Sequence, residues 1–129
     1  MGASTPFAST LATYIRTLYT WRIALFTGDA NLEAGQATDE LFSSASNGYA
    51  RQAVTFQDVS GQPGWIENTA EITFAASGGN WPTCVNGAAV QTATVGANDV
   101  KAFGTIAAFQ LDDGSSVKFP AGSIRMRIL

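Results

Sequence analysis

Residues that carry most enzymatic and metal chemistry are scarce in this chain. Its 129 residues include no histidine and one cysteine, Cys84. Without histidine, Ser-His-Asp and Cys-His catalytic arrangements and imidazole metal sites are excluded. A lone cysteine forms no internal disulfide, and no helix end or cation is predicted beside Cys84 to activate its thiol. We interpret Cys84 as a buried, inert residue.

Carboxylates are the remaining candidates for acid and base catalysis, because a pair of them can hydrolyse a glycosidic bond. The sequence offers Asp112 next to Asp113, and Glu67 near Glu71. The first pair suits the tip of a hairpin and the second suits a strand edge, so we interpret both as structural. We predict that the chain is not an enzyme and has no catalytic residues.

Metal and nucleotide sites have little support in the sequence. The run from Asp29 to Glu33 resembles an oxygen-rich calcium loop, but it lacks the sixth-position glycine and the distal glutamate of an EF-hand. The glycines do not form a phosphate-binding fingerprint ahead of a helix. We therefore predict no metal site and no cofactor.

Composition and charge narrow the class of protein. Charged residues make up 13% of the chain and hydrophobic residues 46%, a balance typical of a folded domain. No apolar run approaches the roughly 20 residues that cross a bilayer, and the start lacks the features of a secretory signal. The net charge of -3 disfavours nucleic-acid binding, which needs clustered Lys and Arg. We predict a single domain over residues 1–129, with neither a membrane nor a nucleic acid as partner.

An amphipathic helix is predicted at the start of the chain, over about residues 5–20. Ser4 or Thr5 can cap it, with Pro6 in the first turn. Apolar residues then recur at helical spacing, namely Phe7, Leu11, Tyr14, Ile15 and Leu18. We expect this stripe to pack on the chain's own domain, and the alternative is an arm that docks on another subunit.

Two echoing stretches with the alternation of β-strands follow, at 48–56 and 70–74. In the first, Val54 and Phe56 face inward and Arg51 faces outward, and Ile72 and Phe74 repeat the inward pattern. We predict that the two are neighbouring strands, joined by a turn at 60–64, whose four apolar residues share one buried face. We also predict that a carboxylate or carbonyl holds Arg51, since a guanidinium favours bidentate pairing.

The rest of the chain reads as short strands and turns. Trp21 to Thr27 is apolar on both faces, which predicts a central strand. Residues 28–47 predict a long contact loop, and Asn86-Gly87 predicts a hairpin. Trp81 is predicted to fill the core or a corner, or to anchor an interface if it is exposed. The last strand is predicted from Ile124, with Arg125 and Arg127 outward.

These elements predict a mainly β fold, an antiparallel β-sandwich or jelly-roll-like domain over residues 21–129, with one N-terminal α-helix.

Several blocks of the sequence resemble a family of small tailed-bacteriophage virion proteins, described as tail-fibre-like or head-decoration proteins. The matching blocks are Leu25-Phe26-Thr27, Gly48 to Phe56, Asn68 to Phe74, Gly79-Asn80-Trp81 and Phe119 to Gly122. The most specific of them is Tyr-Ala-Arg-Gln-Ala-Val-Thr-Phe. The resemblance covers nearly the whole chain and implies a structural role in the virion.

Three hypotheses about function follow, of which the third belongs to a different class from the virion role that the resemblance implies. The leading one is a capsid decoration (cement) protein that binds the major capsid protein as a homo-oligomer, expected to be a trimer from the resemblance and from the lattice symmetry of phage heads. The second is a tail-fibre or baseplate module. The third is a carbohydrate-binding adhesin module that uses Trp65, Trp81 and Tyr49 as stacking platforms. A virion location is expected in each case, on the capsid surface rather than the tail for the first, after synthesis in the host cytoplasm.

Residues predicted to contact partners share an exposed or apolar position in the predicted elements. They are Phe7, Leu11, Ile15, Asp29, Glu33, Arg51, Trp81, Arg125 and Arg127.

Overall fold

A computed structural model describes residues 4–27, 40, 47–81, 85–91 and 101–128. The chain separates into two compact units. The first unit consists of residues 1–20, 54–72 and 119–129, and the second of residues 21–53 and 73–118.

The described residues form one helix and nine strands. In chain order these are α1 (Thr5–Leu18), β1 (Trp21–Phe26), β2 (Gln52–Val54), β3 (Phe56–Asp58), β4 (Trp65–Asn68), β5 (Ile72–Ala75), β6 (Val85–Gln91), β7 (Ala102–Phe109), β8 (Ser116–Phe119) and β9 (Arg125–Arg127). The prediction of a mainly β fold with one N-terminal helix is confirmed.

The strands form three sheets. One has the order β2-β1-β6-β7, the second β3-β4-β9, and the third pairs β5 with β8. The pairs β1–β6, β6–β7, β3–β4 and β4–β9 are antiparallel. Since β1 lies between β2 and β6, the prediction of a central strand at Trp21 to Thr27 is confirmed.

Helix α1 begins where the sequence predicts. The Ser4 hydroxyl accepts a hydrogen bond from the backbone N–H of Phe7 at 3.4 Å, which satisfies a donor that the first turn leaves without an intrahelical partner. The helix contacts β3 and β4 of the first unit. Its buried residues are Ala8 and Ala12, whose small side chains let a helix approach a sheet closely.

The two echoing stretches are not neighbouring strands, so this prediction is wrong. The first stretch breaks at Thr55 into β2 and β3, which belong to different sheets. β3 pairs with the four-residue strand β4, while β5 pairs with β8. Val54, Phe56, Ile72 and Phe74 are all buried, but the three strands that carry them belong to three sheets and cannot share one sheet face.

The turn predictions have mixed outcomes. Residues 60–64 do form a turn, in which Gly61 and Gly64 have φ values of 75° and 87°. At 112–115, the Ser115 N–H donates to the Asp112 carbonyl at 2.9 Å, as a tight turn requires. The hairpin predicted at Asn86-Gly87 is wrong, because both residues lie inside β6. The chain accommodates them with a register shift between Val85 and Gly87, the kind of irregularity that glycine permits in a strand.

An aromatic cluster forms part of the core of the second unit. Tyr49 stacks on Phe74 with ring centroids 6.1 Å apart, and Trp81 meets Tyr49 edge-on at 5.7 Å and Phe74 at 6.4 Å. Trp81 is 2% exposed, and its indole N–H donates to the Asn47 carbonyl at 2.9 Å. The prediction that Trp81 fills the core is confirmed.

Candidate functional site

The most unusual surface feature of the first unit is the outer side of α1. Phe7 is 56% exposed, Tyr14 59% and Leu18 43%, and Leu11 is half-buried. These four residues lie on one side of the helix because they are four, three and four positions apart. We call them the apolar helix face. A contiguous group of large exposed apolar side chains marks a contact surface more often than a solvent-facing one.

Helix α1 packs on β3 and β4 of its own unit, as predicted. The prediction that the apolar stripe makes this contact is wrong for Phe7, Tyr14 and Leu18, which are exposed. The helix instead buries the side that carries Ala8 and Ala12. Arg16 lies next to this side, and its Nε is 3.1 Å from Asp58 Oδ1 in β3. Helix α1 therefore meets the sheet through small residues, with a partly exposed ion pair beside them.

The predicted partner residues fall into four groups: those on α1, those outside the described residues, the two arginines of β9, and the buried Arg51 and Trp81. Phe7 and the half-buried Leu11 belong to the apolar helix face, and Ile15 is half-buried on the same helix. Asp29 and Glu33 lie outside the described residues, as does most of the predicted contact loop.

The arginines of β9 are exposed, as predicted, and both have neighbours within the first unit. Arg125 Nη2 lies 3.4 Å from Glu67 Oε2. The Arg127 guanidinium carbon lies 6.0 Å from the centroid of the Trp65 ring, at the limit for a cation–π contact. β9 thus presents two cations that are already oriented by their own unit.

Arg51 is not on the surface, because its side chain is 1% exposed and pairs with Glu40, whose side chain is 4% exposed. Arg51 Nη2 donates to Glu40 Oε1 at 2.7 Å and Arg51 Nε donates to Oε2 at 2.9 Å. The prediction that a carboxylate holds Arg51 in bidentate geometry is confirmed. Its outward orientation is wrong, since Glu40 provides an interior partner that alternation does not reveal.

Tyr49 completes this buried network. Its hydroxyl donates to Glu40 Oε2 at 2.6 Å and accepts from the Leu25 N–H at 3.2 Å. Burial, followed by the hydrogen bond and the charge of Glu40, raises the pKa of Tyr49 well above its usual range. The network also holds residue 40 beside β1, where Glu40 forms an isolated antiparallel bridge with Phe26. We call Glu40, Tyr49 and Arg51 the buried ion-pair network.

Asn68 organises a second buried polar site, in the first unit. Its Nδ2 donates to the carbonyls of Ala70 at 2.9 Å and Pro120 at 3.0 Å. Its Oδ1 accepts from the Ile124 N–H at 2.9 Å. Asn68 is fully buried, so one amide side chain satisfies three backbone groups at the corner that precedes β9.

The carbohydrate platform predicted from Trp65, Trp81 and Tyr49 does not exist in this form. Tyr49 and Trp81 are each 2% exposed and pack against each other, so neither ring can stack on a sugar. Trp65 is half-buried and lines a cavity of about 110 Å³ in the first unit, with Ser9, Asp58 and Gln62.

The described residues also bear on metal binding and on membrane insertion. No three His, Cys, Asp or Glu side chains in this part of the chain lie close enough together to hold a metal ion. The helix that the structure describes is too short and too polar to cross a membrane.

Sequence reasoning missed Glu40, Asn68 and the exposure of Tyr14 and Leu18. Glu40 and Asn68 act through contacts distant in sequence, which leave no periodic pattern. The sequence did contain a signal for the apolar helix face, because its residues recur at intervals of four, three and four. That spacing shows that they share one side of the helix, but not that this side is exposed.

The family model described as "Podophage GP4 fiber I protein gp80" matches residues 10–127 of the chain. No curated protein and no solved structure matches.

Proposed function

Because the chain belongs to the podophage GP4 fiber I protein gp80 family, matched over residues 10–127, we propose that it is a structural subunit of a virion fibre of a tailed phage. Membership makes it a virion structural protein of the tailed-phage type. The assignment to a fibre rests on the description of the family, and it replaces capsid decoration as the leading hypothesis.

The charged side chains of the described residues favour a structural role over catalysis. Glu40 is committed to Arg51 and Tyr49, and Asp58 pairs with Arg16. Asp113, a member of one predicted carboxylate pair, accepts from the Gly78 N–H at 3.0 Å. Each of these three carboxylates makes a contact that stabilises the local structure, and they do not form a pair that could act as catalytic acid and base.

Capsid decoration is a second candidate because the described strands and helix are short. Its described strands are three to eight residues long and its helix has 14 residues. Long repetitive or coiled segments, which give a fibre its reach, do not occur in the part of the chain that the structure describes. A small β protein of this kind also suits attachment to the head lattice.

Location and copy number in the purified particle test the proposal. Gold-labelled antibodies against the chain should decorate fibres, and quantitative mass spectrometry should give a copy number far below that of the major capsid protein. Labelling spread over the head, with copies in proportion to the major capsid protein, would replace the fibre proposal with capsid decoration. Absence of the chain from particles would overturn both proposals.

A further inference from the structure

We propose that the apolar helix face, Phe7, Leu11, Tyr14 and Leu18, is a self-association seam on which α1 of a second copy of this chain packs in parallel as a short coiled coil. Association through this face is a property of the isolated chain, and it is the same whether the virion component is a fibre or a head protein.

The spacing of the exposed residues selects a helix as the occupant. Intervals of four, three and four place Phe7 and Tyr14 at d positions of a heptad and Leu11 and Leu18 at a positions. In a coiled coil this seam is the part of the helix that meets a partner helix, with side chains inserted between those of the partner. The e positions hold Ala8, which is buried against the helix's own unit, and Ile15, which is half-buried, so the residues left exposed for a partner are those at a and d.

The other side of α1 packs on its own unit, which leaves the seam facing outward. Ala8 and Ala12 are buried against the first unit, and Arg16 is held by Asp58. Two heptads are fewer than the roughly three to four that mark an independent coiled coil. This helix is already folded on its own unit, however, so association does not require the unfavourable nucleation step of an isolated helix.

The charge pattern favours an identical copy over a charged partner. The positions that flank the seam are uncharged, namely Ala8, Thr10, Ile15 and Thr17. The one charged residue of α1 is Arg16, which lies on the side away from the seam. Two copies can therefore pack in parallel without a like-charge contact, whereas an acidic or basic partner would find no opposite charge along the seam.

Multi-angle light scattering over a range of concentrations tests the proposal on the purified full-length chain. The wild-type chain should be an oligomer, and Tyr14→Glu and Leu18→Glu should each raise the dissociation constant about tenfold or more, because a carboxylate would be buried in the seam. The matched control is Thr5→Glu, which adds the same charge at an exposed position off the seam. Circular dichroism should show the same fold for all variants.

Two light-scattering results would overturn the proposal. One is a wild-type chain that stays monomeric at every concentration. The other is a folded Tyr14→Glu or Leu18→Glu variant that associates as tightly as the wild type.

A cross-linking experiment covers the case in which a charged seam variant fails to fold, and it also tests the parallel arrangement. In a Cys84→Ser background, Leu18→Cys should form a disulfide between copies under mild oxidation, because only parallel helices bring the same seam position of two chains within the roughly 4–7 Å between Cα atoms that a disulfide allows. Thr13→Cys, outside the seam, should form no disulfide between copies. Equal cross-linking of the two variants, or none at Leu18→Cys, would refute the parallel seam.

Discussion

At the scale of single residues, the buried ion-pair network is the feature with the largest energetic consequence. Glu40 accepts three hydrogen bonds from two side chains, Arg51 and Tyr49. Two opposite charges that are almost fully buried stabilise a fold only while both are present, since either charge left alone keeps its desolvation cost. The network therefore fixes residue 40 against β1, and the stability of the fold depends strongly on each of its three residues.

Glu40→Gln should lower the free energy of unfolding by about 3 to 5 kcal/mol, because Arg51 would remain buried without a compensating charge. Urea denaturation monitored by tryptophan fluorescence measures the change. Glu71→Gln, the same substitution at an exposed glutamate, should change it by no more than about 0.5 kcal/mol. Equal effects of the two variants would show that the pair contributes little.

The raised pKa of Tyr49 should make the chain less stable at alkaline pH. This pKa is raised in the folded chain, chiefly by burial, whereas an unfolded tyrosine titrates near pH 10. Above about pH 10 only the unfolded state loses this proton, so Tyr49 should lower the free energy of unfolding by about 1.4 kcal/mol per pH unit. Below that pH the contribution is constant.

Denaturation series between about pH 9 and 11 check the sign. The slope should become shallower in Tyr49→Phe, while Tyr19→Phe, at an exposed tyrosine, should keep the wild-type slope. If the free energy of unfolding of Tyr49→Phe fell with pH as steeply as that of the wild type, groups other than Tyr49 would be the cause of the loss of stability.

At the scale of elements, the turn at Asn47-Gly48 is held against the segment that follows β5. The Asn47 carbonyl accepts from the Ser77 N–H at 3.0 Å and from the Trp81 indole at 2.9 Å. Gly48 has a φ of 78°, and a Cβ atom there would lie 2.6 Å from the Ala75 carbonyl oxygen and 2.8 Å from the Ser77 nitrogen. Both obstacles are backbone atoms, so the two segments can approach this closely only if residue 48 is glycine.

Gly48→Ala should therefore cost more than its backbone conformation alone explains. A left-handed conformation costs an alanine about 1 to 2 kcal/mol. Gly78→Ala is the matched control, since Gly78 has a φ of 80° and nothing within 4 Å of its Cβ position. We expect the free energy of unfolding to fall by about 1 to 2 kcal/mol in the control and by at least twice that in Gly48→Ala. Equal losses would mean that the segments separate without cost.

Much of the local structure was predictable because its causes are local. The Ser4 cap, the central strand β1 and the turn at 112–115 follow from residues within a few positions of one another. The side of α1 that packs was not predictable in this way. An apolar stripe shows which side of a helix is hydrophobic, and not whether its own sheet or another molecule covers it. Arg51 was misplaced for a related reason, since Glu40 lies 11 residues away in the sequence.

At the scale of the whole molecule, a low charge content accompanies the exposed apolar surface. Only 13% of the residues are charged and the net charge is -3, with an isoelectric point near 4.6. Such a chain has little electrostatic repulsion to keep copies apart. The prediction of a single domain stays a prediction, because the two compact units are defined by contacts and not by how they unfold. The homotrimer likewise stays a prediction of stoichiometry, and the seam concerns only which surface associates.

The response of self-association to salt follows from this charge distribution. An uncharged seam gains nothing from ion pairs, while copies of net charge -3 repel one another until salt shortens the screening length from about 10 Å at 0.1 M to about 3 Å at 1 M. Sedimentation equilibrium at increasing sodium chloride, at pH 7, should give a dissociation constant that stays level or falls. Thr5→Glu provides the control, because its additional negative charge off the seam should make the fall steeper. A dissociation constant that rises with salt would mean that ion pairs, such as those available to Arg125 and Arg127 on β9, hold the copies together in place of the apolar helix face.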